Sequence, residues 1–139
     1  LGYSERLAKQ AAELFYDKEK GIGLNIVRYN IGGGDNPAHC HIQRTDSEVP
    51  GYLYEHIRSD GKSYVYDWTA DANQRRVLEE VAKVCGDEMI VEAFSNSPPY
   101  FMTVSGCSCG NVNAAEDNLR PDCYDWFAEY LAEYLTKIV

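Results

Sequence analysis

A chain of 139 residues fits one domain of ordinary size, and 45% hydrophobic with 25% charged residues supplies enough apolar mass for a core, which excludes wholesale disorder. Against 22 Asp plus Glu there are 13 Lys plus Arg, a formal charge of -9 that repels nucleic-acid phosphates and anionic lipid, so neither is an expected partner. No apolar run approaches the roughly 18 residues of a membrane span, and the first residues have neither the charged start nor the apolar middle of a signal peptide.

In chain order, Leu7, Ala8, Ala11, Ala12, Leu14 and Phe15 recur at helical spacing behind Ser4, a natural N-cap, and predict a helix from Ser4 to about Asp17, closed by Lys18 to Gly21. Leu24 to Ile31 is a short β-branched run between glycines and predicts a buried strand, although it carries Arg28 and Asn30. Residues 32–68 read as a long polar loop rich in Gly, Pro, His and Tyr, with room for small strands. Loops of that length tend to carry function. A second helix is expected from Asp71, with Gln74 closing a capping box and Val77, Leu78, Val81, Ala82 and Cys85 as its stripe, ended by Gly86. Met89 to Phe94 predicts a second strand, Ser95 to Pro99 a turn, and Tyr100 to about Asn118 another long loop. A third helix is expected from Arg120-Pro121-Asp122, facing inward through Trp126, Phe127, Tyr130, Leu131, Tyr134, Leu135 and Ile138.

Alternating strands and helices imply an α/β fold with a parallel sheet, and both long loops follow strand C-termini, where such folds build their sites. Two parallel strands cannot hide both faces of a sheet, and the chain begins at Leu1 rather than Met, so residues 1–139 are expected to be a single incomplete domain cut from something larger. The original compartment is not legible from these residues.

Several constellations could carry chemistry. Gly32-Gly33-Gly34 follows a strand, but Asp35-Asn36-Pro37 comes next instead of a helix N-terminus, which disfavours phosphate. The plain alternative is that glycine lets backbones turn or pack closely. His39-Cys40-His41 and Cys107-Ser108-Cys109 offer a possible zinc shell at no standard spacing, or a thiol paired with an imidazole that nothing visibly orients. Cys40, Cys85, Cys107, Cys109 and Cys123 are an odd number and read mainly as free thiols. Tyr52, Tyr54, Tyr64, Tyr66, Trp68, Tyr100 and Phe101 crowd the loops, serving equally as sugar-stacking platforms or as small cores beneath those loops.

Four strings carry a resemblance: GLNIVRYNIGGGDNP (23–37), YDWTADANQRRVLEEV (66–81), VEAFSNSPPYFMTVSGCSCGNV (91–112) and NLRPDCYDWFAEYLAEYL (118–135). Together they resemble glycoside hydrolase family 30, especially its endo-β-1,6-galactanase-like members, over nearly the whole chain from Leu7. The resemblance implies a partial (β/α)8 TIM barrel covering helix 1, strand 2, helix 2, strand 3 and helix 3, with long loops after the strands. A complete barrel takes roughly 250 residues. It further implies a retaining endo-glycosidase acting on a β-linked polysaccharide such as β-1,6-galactan, with two catalytic glutamates on strands four and seven that this chain does not reach. Glu48 and Glu55 match neither motif. By position, Arg28 matches an arginine beside the family's nucleophile, and Asp35 a carboxylate on sugar hydroxyls. Asn96, Tyr100 and Phe101 match a wall of the cleft, although relatives often carry tryptophan at the position of Phe101. Asn30 shares the face of Arg28, while Trp68 and His39 rest on loop position alone. No cofactor is implied. The expected partner is an oligo- or polysaccharide, with self-association through unpaired strand edges. The competing reading is a non-catalytic carbohydrate-binding or metal-binding module.

Overall fold

The computed structural model describes residues 1–34, 36, 38 and 49–138. They form seven main elements among the described residues: α1 (Glu5–Tyr16), β1 (Ile26–Ile31), β2 (Leu53–Arg58), β3 (Gly61–Tyr66), α2 (Ala72–Cys85), β4 (Ile90–Ser95) and α3 (Tyr124–Ile138). The expected helices and strands are all present, in a mixed α/β arrangement. The chain divides into two compact units, Leu1–Tyr29 with Asp71–Phe94, and Asn30–Ala70 with Ser95–Val139.

In the first unit, the Ser4 side chain accepts a hydrogen bond from the Leu7 amide at 3.4 Å, which caps α1. The helix stops where the Asp17 carboxylate turns back to accept from the Glu19 and Lys20 amides at 2.8 and 2.9 Å. Those two bonds hold the Asp17 carboxyl below its usual range, the Lys20 amide contributing most. α1 packs against α2, burying Ala8 and Ala12 from one and Leu78 and Val81 from the other, so small side chains set a close approach.

The capping box expected at Asp71 does not form. Asp71 has a left-handed backbone (φ 56°), the one such non-glycine among the described residues, and its side chain makes no cap to a helix amide. Its carboxylate accepts instead from the Tyr29 hydroxyl at 2.9 Å and from Gln74 Nε2 at 2.5 Å. The reason is burial. Tyr29 is 1% exposed, and a buried phenol donating to the carboxylate draws the Asp71 side chain inward rather than to the helix amides.

β1 and β4 are hydrogen-bonded neighbours. Asn25 O accepts from Ile90 N at 2.8 Å and Arg28 meets Glu92 further along, contacts that advance together along both strands as in a parallel ladder. Both strands are trimmed from their expected starts at Leu24 and Met89. One face of this pair buries Tyr29 and Ile31. The other leaves Ile26 and Ile90 more than half exposed.

In the second unit, the expected loop 32–68 contains the antiparallel hairpin β2–β3, in register from Leu53↔Tyr66 to Arg58↔Gly61. Its base is aromatic. Tyr52 stacks on Trp68 at 5.5 Å and meets Tyr134 edge-on at 5.2 Å, while Tyr66 lies flat against Trp68 at 4.8 Å. The third helix begins later than its proline suggested: Pro121–Cys123 form a separate 3₁₀ turn, and α3 runs from Tyr124. Pro121 brings the fixed φ but no N–H, which suits a tight leading turn. Of the expected stripe, Tyr130 and Tyr134 are fully buried, whereas Leu135 is exposed.

Candidate functional site

The glycine turn after β1 is shaped by close approach. A Cβ on Gly32 would lie 2.3 Å from Val49 O and 2.4 Å from Pro50 O, and one on Gly33 would lie 2.4 Å from Pro98 O, distances no real side chain tolerates. With the glycines in place, the turn is tied down from three directions. Tyr130 donates its hydroxyl to Gly32 O at 2.8 Å, the Tyr100 amide donates to Gly33 O at 3.2 Å, and the Ser108 hydroxyl donates to Gly34 O at 2.5 Å. Close backbone packing is therefore the role these glycines play.

Between this turn and the loop after β4 lies a small cavity of about 20 Å³, lined by Asn30, Gly32, Gly33, Asn96, Ser97 and Ser108 together with Ile31 and Val49. That volume admits about one water molecule, and most of its wall residues carry amides, hydroxyls or bare backbone. The cavity brings Asn30 and Asn96 to one place. Tyr100 is tied to this turn through its amide, which donates to Gly33 O. Phe101 does not present an open ring. It is 9% exposed and packs on Tyr64 at 4.8 Å and Trp126 at 5.4 Å. Trp68 belongs to a different cluster: its ring neighbours are Tyr52 and Tyr66, with the Lys137 ammonium 6.0 Å above it.

In the first unit, Arg28 is held at both ends of its guanidinium by Glu92, Nε to Oε2 at 3.0 Å and Nη2 to Oε1 at 3.3 Å, with its carbon 4.6 Å over the Phe94 ring. The sequence reading looked beyond the chain for this arginine's partner and missed Glu92. The signal was available: IVRYNI and IVEAFS each place one charge, of opposite sign, in an otherwise apolar strand. Both side chains are about half exposed, so the pair orients the guanidinium more than it stabilises the fold. The aromatic face and the two-point clamp leave Arg28 fewer rotamers than a free surface arginine.

Asp35, His39, Cys40 and His41 lie outside the described residues. Among the described residues, Cys85, Cys107, Cys109 and Cys123 form no disulfide. Cys107 is buried, with its sulfur accepting from the Cys109 amide at 3.5 Å, and no group of three His, Cys, Asp or Glu among the described residues is placed to hold a metal. Among the described residues no helix is long and apolar enough to cross a membrane.

Helices and short strands of this kind define a mixed α/β protein. The profile of O-glycosyl hydrolase family 30 matches residues 12–138, and the chain belongs to that family. It is 36% identical over 124 residues to an endo-β-1,6-galactanase of Hypocrea rufa, covering 81% of this chain and 24% of that enzyme. It is 28% identical over 155 aligned positions to an exo-β-1,6-galactobiohydrolase of Bifidobacterium longum, covering 90% of this chain and 10% of that enzyme. A conserved exported protein from Bacteroides fragilis shares the fold, with a TM-score of 0.73 at 24% identity over 96% of this chain and 27% of its own. The chain thus spans a quarter or less of the curated relatives it matches.

Proposed function

We propose that these residues are part of a retaining endo-glycoside hydrolase acting on a β-linked polysaccharide such as β-1,6-galactan. The family match over residues 12–138 carries this reading, supported by the similarity to a β-1,6-galactanase. In this reading β1 and β4 are the second and third strands of a (β/α)8 barrel, and their C-terminal loops form one wall of the substrate cleft. Retaining hydrolysis uses two carboxyl groups about 5–5.5 Å apart: one attacks the anomeric carbon to form a glycosyl-enzyme, the other protonates the leaving oxygen and then activates water. Both belong to strands outside residues 1–139, so this stretch binds and orients rather than reacts. Arg28, held by Glu92 and Phe94, keeps the nucleophile ionised and turned toward the sugar. Asn30, Asp35 and Asn96 hydrogen-bond hydroxyls at the innermost position, and Tyr100, Phe101 and Trp68 shape the aromatic surroundings. The residues taken alone associate through the outer edges of β1 and β4.

The test is hydrolysis by the full reading frame that carries these residues, offered β-1,6-galactan, β-1,6-glucan and xylan. Release of β-1,6-linked galacto-oligosaccharides with retained anomeric configuration is the expected result. Inverted product, or no cleavage of any β-glycan, would overturn it.

A further inference from the structure

The second unit holds a larger pocket, about 310 Å³ in volume, with Glu55 and Lys62 of the hairpin, Tyr64, Tyr100, Val104 and Arg120 around it. Glu55 is its centre. Only 10% of its side chain is accessible, and both hydrogen bonds it receives, from Lys62 Nζ at 2.7 Å and the Tyr64 hydroxyl at 3.2 Å, fall on one oxygen, Oε1. That leaves Oε2 as an acceptor, beside an ammonium that has spent one of its three hydrogens. The positive charges here are matched: Lys62 by Glu55, and Arg120 by Asp122 through Nε at 3.0 Å and Nη2 at 2.7 Å, with Nη1 on Phe101 O. A pocket without net charge has no preference for anions. What it offers is one strong acceptor, one strong donor next to it, and an aromatic wall.

We infer that this pocket binds a neutral hexopyranose unit through a vicinal diol, one hydroxyl donating to Glu55 Oε2 and its neighbour accepting from Lys62 Nζ. Adjacent ring hydroxyls present a donor and an acceptor at that spacing, and the C–H face of the pyranose covers the aromatic wall formed with Tyr100. The volume suits one or two sugar units. The hairpin is in register along its whole length, so Glu55 and Lys62 are held on a paired scaffold rather than on a mobile tip. The inference deepens the polysaccharide reading by adding a subsite for a chain or branch residue, but the binding itself does not depend on catalysis.

The experiment titrates the whole protein with D-galactose, β-1,6-galactobiose, a 2-deoxy-hexose and D-glucuronate, read by calorimetry and by ligand-detected NMR. The neutral sugars are expected to bind in the millimolar range and more tightly than glucuronate. Lys62→Met and Glu55→Gln each weaken them about tenfold or more, as loss of a charged hydrogen bond does. Val104→Trp fills the pocket from an exposed position, and abolishes binding while leaving thermal unfolding unchanged, which separates occlusion from misfolding. Undiminished binding in Val104→Trp, or tighter binding of glucuronate than galactose, would overturn the proposal. Should galactan hydrolysis fail while galactose binding stays sensitive to Glu55→Gln, the reaction assigned above falls and the pocket stands. Hydrolysis with sugar binding indifferent to the variants has the opposite meaning.

Discussion

The unit of residues 1–29 and 71–94 buries Ala8, Ala12, Tyr29, Leu78 and Val81, whereas that of residues 30–70 and 95–139 buries Tyr52, Phe101, Met102, Tyr130 and Tyr134. The first is assembled from periodic elements whose small side chains let helices approach. The second has few elements and is held by stacked rings and by side chains that reach across to loop carbonyls. In the first unit stability is distributed over many modest contacts. In the second it is concentrated in a few that have no substitute.

Gly32→Ala strikes that concentration hardest. Its new methyl meets two carbonyl oxygens that cannot both retreat, so a loss of about 3 kcal/mol is expected in denaturant unfolding. A loss below about 1 kcal/mol would show the turn to be far softer than its contacts imply. Tyr130→Phe comes next. It leaves the Gly32 carbonyl buried without its donor, at about 2 kcal/mol with little change in ring packing.

In the first unit the largest single group is Asp71. Burial pushes its carboxyl up to about 6 from 3.8, against the opposing pull of Gln74 and Arg75. Between those pH values the folded protein keeps a proton that the unfolded chain has released, so stability falls as pH rises through the window. Asp71→Asn still accepts from Tyr29 and tolerates the left-handed backbone. It should flatten this dependence, recovering about 1 kcal/mol at pH 7 once partial exposure is allowed for. An unchanged pH profile would remove Asp71 as its source. Smallest of all in stability is Glu92→Gln, at about 0.5 kcal/mol or less because the Arg28 pair is half exposed. If the proposed function holds, its effect should appear instead in galactan turnover by the full reading frame, with kcat reduced more than KM as Arg28 loses its clamp.

The same contrast decides what was legible in the sequence. Helical spacing around Ala8 and Leu78 and the β-branched runs around Val27 and Val91 located every element of the first unit to within a few residues, because one physical period governs each. The hairpin was hidden inside a stretch read as loop. Its partners Tyr54↔Val65 and Glu55↔Tyr64 alternate only weakly, although Asp60-Gly61 at the turn is a hairpin signal that was available. Asp71 stands at the N-cap position that the pattern indicates, but its side chain does not cap, because a linear pattern cannot register a tyrosine 42 positions earlier donating to its carboxylate. Asn30 near the end of β1 and Asn96 just past the end of β4 could be brought together by position alone. The burial of Phe101 could not, since it depends on Tyr64 and Trp126 arriving from separate elements.

The hydrogen bond from Tyr130 to Gly32 O joins residues 98 apart. On a ribosome adding about 5–20 residues each second, the glycine turn waits several seconds after its own synthesis for that hydroxyl to be made. The glycine turn, made early among these residues, is thus completed only once α3 has been synthesised. During that interval nascent-chain chaperones would meet an open turn, with Tyr52 and the rest of the aromatic cluster not yet covered by α3.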